Sequence, residues 1–226
     1  MKVEAKAPEK LHELVFRIYD SMLPRNCRTI DLGAGEGAFS LRLLKRGDSI
    51  LGVDGTDDWK LENVPFIKVN LDVVDFADNI VSKFGKFDAV VAIEIIEHLE
   101  NPFAFVRECK KLLKKDGYLF ITTPNVESMN SRVMFLIKGR LIYFDEYSTI
   151  RSAHITPVFS WKLDMALQEA GFEKTYDTYV LHEFTLGKHN LKGWIGGLIS
   201  LLFYPFVRGN KRGGNRIVVA RLKNVD

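Results

Sequence analysis

The chain has 226 residues, 46% of them hydrophobic and 27% charged, a balance that suits one globular domain over 1–226 with a sizeable core and room for insertions. Its 32 basic and 29 acidic residues leave a formal net charge of +3, too mild for charge alone to argue for nucleic acid. The two cysteines, Cys27 and Cys109, form no CxxC pair, so neither a disulfide framework nor a zinc knuckle is expected. Met1–Lys10 mixes charge with alanine and lacks the apolar run of a secretory signal. No stretch reaches the ~18 apolar residues of a spanning helix, and a cytoplasmic location is the default expectation.

In chain order, Leu11, Leu14, Val15, Ile18 and Met22 recur at helical spacing, which predicts an amphipathic helix over 8–23. Arg28–Gly33 reads as a buried strand ending at glycine, and Leu41–Arg46 as part of the helix after it. Ser49–Asp54, Pro65–Asn70 and Phe87–Ile93 read as the second, third and fourth strands. Phe105, Cys109 and Leu112 mark a helix started by Asn101-Pro102. Gly117–Thr123 is a fifth strand, stopped by Pro124. Ser160 is placed to cap a helix over Trp161–Ala170, and Gly171 to end it. Two late strands are expected near Glu173–Leu181 and Arg216–Leu222. Strands alternating with helices imply right-handed crossovers, hence an α/β Rossmann-like fold: a seven-stranded, mostly parallel sheet with helices on both faces. Residues 126–157 and the segment around 188–212 break the alternation and read as insertions, or lids, over the open face of the sheet.

The densest motif is Asp31-Leu-Gly33-Ala-Gly35-Glu-Gly37, between a strand and a helix. Glycines there let the backbone turn sharply and approach a ligand, at the strand ends where ligands bind in such sheets. Two ligands fit a strand–glycine turn–helix unit, a dinucleotide and S-adenosylmethionine. Asp54, ending the second strand, suits a ribose in both. Asp31 separates them: a carboxylate two residues before the first glycine repels a pyrophosphate and suits a cationic sulfonium that also carries an amino group. Glu36 argues the same way, and the spacing GxGxG lacks the third glycine of the dinucleotide pattern.

Asp31–Gly37 resembles the first motif of class I S-adenosylmethionine-dependent methyltransferases, and the resemblance extends over roughly residues 28–175. It implies that Gly33, Gly35 and Gly37 line the methionine part of the cofactor and that Asp54 takes both ribose hydroxyls. Asn70, Leu71 and Asp72 would hold adenine, with Asp72 accepting from its amino group. A helix N-cap is the structural alternative for Asp72.

After the fourth strand comes Ile93-Glu94-Ile-Ile-Glu97-His98-Leu-Glu-Asn-Pro102. If helical, it puts Glu94, Glu97 and His98 on one face, at the end of the central strand. Glu97-His98-Leu99 and Thr123-Pro124-Asn125 resemble the ubiquinone-biosynthesis O-methyltransferases and related small-molecule enzymes, and His154–Ser160 matches a later segment of that group. A more distant likeness is to plant-type small-RNA 2′-O-methyltransferases, whose two glutamates and two histidines hold a divalent metal; the matching positions are Glu94, Glu97, His98 and His154. Methyl transfer to a hydroxyl needs the proton removed, which a near-neutral histidine can do. A divalent cation on carboxylates and imidazoles would instead lower the hydroxyl pKa, and mixed oxygen and nitrogen donors suit Mn, Fe, Co or Zn better than Mg. The bland alternative is that Glu97-His98 only orients the next helix. His12, His182 and His189 lack partners in sequence and read as ordinary residues.

The resemblance implies methylation of a small-molecule hydroxyl, with S-adenosylmethionine as cofactor and a divalent metal as an optional second. A quinone precursor, a polyketide, a sugar and a lipid-linked saccharide all stay open as acceptors. Two rivals are an RNA or nucleotide 2′-O-methyltransferase, which the near-neutral charge disfavours, and a non-catalytic S-adenosylmethionine-binding sensor, which needs no base. Trp194–Val207 is almost free of polar side chains and flanked by Lys188, Lys192, Arg208, Lys211 and Arg212. Too short to span a bilayer, it suits either a segment lying in a lipid interface or a buried lid. Val133–Tyr143 has a similar character. Both expect an apolar or lipid-linked acceptor, and the first expects peripheral contact with the inner face of a membrane.

Overall fold

A computed structural model describes residues 3–144, 153–181 and 191–223, with the backbone alone for 191–195. The chain runs α1 (Glu9–Met22), β1 (Arg28–Leu32), α2 (Ala38–Arg46), β2 (Ser49–Asp54), β3 (Phe66–Lys68), α3 (Phe76–Phe84), β4 (Phe87–Ile93), a 3-10 turn (Ile96–His98), α4 (Pro102–Leu112), β5 (Leu113–Pro124), α5 (Met129–Lys138), α6 (Ser160–Glu169), β6 (Phe172–Val180), α7 (Leu191–Phe203) and β7 (Asn215–Leu222). One seven-stranded sheet has the order β3-β2-β1-β4-β5-β7-β6. Neighbours from β3 through β5 pair parallel. β7 is antiparallel to both β5 and β6. This is the Rossmann-like, mostly parallel sheet expected.

Period-two alternation sorts each strand between two cores. Val90 and Ala92 of β4 join the cluster made with Phe76, Ile80, Phe105, Cys109 and Leu163, so α3, α4 and α6 cover one face. Ala89, Val91 and Ile93 face Leu11, Val15, Tyr19, Phe39 and Leu43, so α1 and α2 cover the other. The strand order reverses between β1 and β4. The crevice outside the carboxyl ends of those two strands is therefore the natural ligand position.

Several boundaries differ from expectation for local reasons. β3 keeps only three residues. α3 was not anticipated; Asp75 enters it in the left-handed region at φ 66° with no side-chain cap. Asp72 therefore caps no helix, and its Oδ1 accepts from Glu100 N–H at 2.8 Å. Ser160 is the first residue of α6 rather than its cap: the N-cap is Phe159, and Ser160 N–H is taken by Glu127 Oε2 at 2.8 Å. Gly171 does end that helix, at φ 85°. Asn101 caps α4 by accepting from Ala104 N–H at 3.1 Å, with Pro102 at the first helical position, where its missing N–H is no loss.

The expected insertions at 126–157 and 188–212 contain α5 and α7, which pack on each other. Residues 145–152 and 188–190 of these insertions lie outside the described residues. α7 turns its small residues inward: Ser200 is buried, and Gly196 lies against Val133 of α5. Its large apolar residues Leu198, Leu201, Leu202 and Phe203 are exposed, as is Phe206 beyond it, and Phe135, Leu136 and Ile137 are exposed on α5. Among the described residues no helix is long and apolar enough to cross a membrane.

Candidate active site

The glycine turn leaves β1 with Gly33 and Ala34 N–H groups both donated to Val53 C=O, at 2.8 and 3.0 Å. Gly33, Gly35 and Gly37 have φ of 74°, 53° and 93°, values that L side chains rarely adopt. Space imposes the same choice at two of them. A Cβ on Gly33 would meet Ile95 at 2.7 Å, and one on Gly37 would meet Leu61 at 2.8 Å. Asp54 is locked to the turn: Oδ2 accepts from Gly35 N–H at 2.8 Å, and Oδ1 accepts from Thr56 N–H and Oγ1 at 2.9 and 3.0 Å. Of roughly four lone-pair positions on a carboxylate, the N–H groups of Gly35 and Thr56 take two, and the one proton of Thr56 Oγ1 is shared between Asp54 and Asp58, which leaves Asp54 room for a further donor.

Asp31 is buried and accepts from Ser40 Oγ at 2.6 Å. Burial pushes its pKa up to about 7, with the charge of Asp54 adding to the rise. Such a carboxyl is a waiting partner for a positive group. Asn70 and Asp72 follow β3, with Asn70 Oδ1 accepting from Asp72 N–H at 3.0 Å. The Leu71 side chain is buried in the core.

The acid–histidine segment is not an α-helix. Glu94 tops β4 in the left-handed region at φ 51°, and only Ile96–His98 form a 3-10 turn. Glu94 therefore shares no helical face with Glu97 and His98. It is held in a ring across three strands. Its Oε1 accepts from Thr122 Oγ1 at 2.8 Å and its Oε2 from Asn215 Nδ2 at 2.7 Å. Burial raises its pKa to about 7 against those two hydrogen bonds. Glu97 is fully buried, and neither carboxyl oxygen has a hydrogen-bond partner. Burial first, and the Glu94 charge second, lift its pKa well above the ordinary glutamate range.

The Glu97 main chain brings His154 in from 57 residues away. Its carbonyl accepts from Ile155 and Thr156 N–H at 3.0 and 2.9 Å, and Thr156 Oγ1 donates to Leu99 C=O at 2.5 Å. The His98 and His154 rings then meet edge to face at 4.8 Å. Burial and the neighbouring His98 lower the His154 pKa. Of the four expected metal ligands, three converge: one atom each from Glu97, His98 and His154 lie within 4.8 Å of one another. Glu94 stays outside, on Thr122 and Asn215.

Of the other residues at this crevice, Glu4, Lys6 and Trp59 carried no sequence signal, whereas Asn125 belongs to the Thr123-Pro124-Asn125 motif. Glu4 N–H donates to Glu36 Oε2 at 2.7 Å and Lys6 Nζ to Asp58 Oδ2 at 2.6 Å, so the segment before α1 folds over the glycine turn. Trp59 stacks on Phe66 with centroids 5.2 Å apart and lies close over Gly52. Asn125 ties the end of β5 to the segment before β7, donating to the carbonyls of Asn210, Arg212 and Gly213 at 2.8, 2.9 and 3.0 Å. His182 and His189 lie outside the described residues.

Residues 3–176 match the methyltransferase domain family. The chain belongs to that family. Among solved structures, a SAM-dependent methyltransferase from Archaeoglobus fulgidus superposes with a TM-score of 0.66 at 20% identity, covering 96% of this chain and 95% of that one. The [4+2]-cyclase SpnF superposes with a TM-score of 0.60 at 17% identity, over 98% and 84% of the two chains. The fold therefore hosts more than one chemistry, and the site must decide. A ubiquinone biosynthesis O-methyltransferase of Pelagibacter ubique (strain HTCC1062) is 30% identical over 132 residues, 56% of this chain and 54% of that protein. The chain spans about half the length of the curated relatives it matches.

The residues at this turn fit S-adenosylmethionine, the methyl donor of such domains. A Cβ on Gly35 would only touch the flexible end of Lys6, at 3.7 Å, so that side of the turn is covered by the segment before α1 and by no fixed backbone. Asp31 awaits a cation. Asp54 keeps capacity for a hydroxyl, and Asp72 keeps Oδ2 for a further donor. The 3-10 turn is next to all of this, because Ile95 packs on Gly33.

Proposed function

We propose that this methyltransferase transfers the methyl group of S-adenosylmethionine to a hydroxyl oxygen of a small molecule, with His98 as the base. The observation that carries the reading is the His98–His154 pair, standing on the turn whose leading residue contacts the glycine motif. S-adenosylmethionine supplies an electrophilic methyl carbon on a cationic sulfur. His98 would accept the proton of a hydroxyl placed for attack on that carbon, and His154, whose pKa burial and His98 lower, stands beside it. The Thr122–Glu94–Asn215 ring makes a rigid wall at the rim. Oxygen as the accepting atom is supported by the name of the Pelagibacter relative and by the need for a base.

A divalent cation on Glu97, His98 and His154 is the second reading. It is favoured by the two unsatisfied carboxyl oxygens of Glu97 and the unsatisfied Nδ1 of His154, all buried.

The test pairs binding with turnover. S-adenosylhomocysteine should bind with micromolar affinity, about −8 kcal/mol. Asp54→Ala should weaken it by about 1.5–3 kcal/mol. His98→Ala should lower kcat by about 10²–10⁴-fold while leaving that affinity within about twofold. Full activity in His98→Ala, Glu94→Ala and His154→Ala alike would sink the site. Tight NADH binding without S-adenosylhomocysteine binding would sink the whole reading. Activity lost to a chelator and restored by Mn, Co or Zn selects the metal-bound version.

The insertions support a lipid-facing entrance. α7 keeps glycine and serine inward and leucines and phenylalanine outward, the reverse of a helix whose apolar face is buried in its own protein. Exposed Lys138, Arg208 and Arg212 flank the α5–α7 apolar surface. This arrangement suits an anionic membrane surface and an apolar or lipid-linked acceptor.

A further inference from the structure

A cavity of about 310 Å³ lies between the two insertions, walled by Asn130, Tyr143, Tyr204, Lys211, Arg212 and Gly214 among others. It adjoins the proposed site on two sides. The Tyr143 ring is 6.3 Å from that of His154, and Gly214 precedes Asn215, the donor to Glu94. Two cations line it, and neither forms an ion pair among the described residues. Arg212 Nε donates to Tyr204 Oη at 2.7 Å, which aims the guanidinium and leaves its terminal N–H groups available. Lys211 Nζ donates to the carbonyls of Tyr204 and Val207 at 2.5 and 2.9 Å and lies 4.1 Å from the centroid of the Tyr204 ring, so it is fixed in the wall and adds its charge there.

The backbone beneath them is held firmly. Buried Asn125 grips the carbonyls of Asn210, Arg212 and Gly213. Gly213, at φ 73°, is packed so closely that a Cβ would stand 2.8 Å from the main chain of Tyr179 and Val180. Ser128 and Asn130 bring the first turn of α5 to the same cavity, and its dipole adds the same sign. We infer that this cavity is a built site for an oxyanionic group, phosphate or carboxylate, on the acceptor side of the active site. A guanidinium fork and an ammonium complement the oxygens of such a group. Only the phrase "acceptor side" rests on the methyl-transfer reading.

Calorimetric titration of the whole chain with inorganic pyrophosphate, at constant ionic strength, tests this before any acceptor is known. Saturable one-site binding is expected, weakened about tenfold or more in Arg212→Gln. Tyr204→Phe, which loses only the hydroxyl that aims Arg212, should weaken it less. S-adenosylhomocysteine binding on the same samples reports folding and the methyltransferase reading separately, and should not change in either variant. Two arms locate the source of the anion. If it is a lipid headgroup, phosphatidylglycerol vesicles compete with pyrophosphate and phosphatidylcholine vesicles do not. If it belongs to a free acceptor, both vesicles leave the titration unaltered. A carboxylated or phosphorylated phenol then has a lower KM than its neutral parent, an advantage that Arg212→Gln abolishes. Absence of saturable pyrophosphate binding, or binding that Arg212→Gln leaves intact, overturns the inference whatever S-adenosylhomocysteine does.

Discussion

Asp31 shows how one residue can tie cofactor binding to pH. Its carboxyl is raised to about 7, mainly by burial, from an unfolded value near 3.8. Without ligand, its contribution to stability is full below the unfolded pKa and is lost as pH rises through the folded one. A cationic ligand reverses the preference and draws the proton off. S-adenosylhomocysteine, whose amino group is positive, should therefore bind more tightly as pH rises from 6 to 8 and release a proton on binding near pH 6–7. Calorimetry in buffers of different ionisation enthalpy checks this, and Asp31→Asn should abolish both the release and the pH trend. An unchanged trend in Asp31→Asn would place the titrating group elsewhere. The glycines were legible at this scale because positive φ is a local demand that only glycine meets freely. Glu94 was named as a candidate from the sequence, but its placement was not legible: it stands in the left-handed region and is bonded to Thr122 and Asn215 across the sheet, partners far from it in sequence.

At the level of elements, α1 shows what periodicity conveys. Leu11, Val15 and Tyr19 fall on one stripe and are buried, and His12 lies beside them, also buried. Its ring meets Phe39 edge to face at 5.6 Å, and its Nδ1 has no hydrogen-bond partner. Burial alone lowers its pKa to about 4. A histidine depressed below its unfolded 6.5 contributes stability that is full above 6.5 and is lost as pH falls toward 4. The loss is on the order of 3 kcal/mol. Urea unfolding at pH 7.5 and pH 4.5 should show a smaller acid loss in His12→Phe than in the unaltered chain, and equal losses would show that His12 does not carry it. An ordinary-looking histidine in the sequence is thus a core residue in the fold. α3 escaped notice for the opposite reason: nine residues, with Asp75 in the left-handed region before it, show neither a capping pattern nor a long stripe.

For the molecule as a whole, the contact between α5 and α7 decides where apolar surface faces solvent. Glycine and serine let the two helices approach, so the leucines and phenylalanine of α7 point away from the protein. Flotation with anionic liposomes should carry the chain upward and weaken in high salt, since each basic residue near such a surface adds about 1 kcal/mol. Leu201→Asp should stay folded, being exposed, and lose flotation. A chain that stays at the bottom of the gradient, with a Leu201→Asp variant that unfolds, would restore the lid.

Strand positions, the crossover pattern and the glycine turn could be read directly from the amino acids, because alternation, chain reversal and positive φ are properties of a few adjacent residues. The acid–histidine cluster could be read only as a list of names. Which of its members meet is set by long-range main-chain hydrogen bonds: Glu97 C=O draws in Ile155 and Thr156 and so delivers His154, while Asn215 of β7 takes Glu94 away. The cationic cavity is more remote still, assembled by Asn125 gripping residues 85 to 88 positions later. No local pattern encodes such a pairing, because its partners become neighbours only once the sheet has closed and packed.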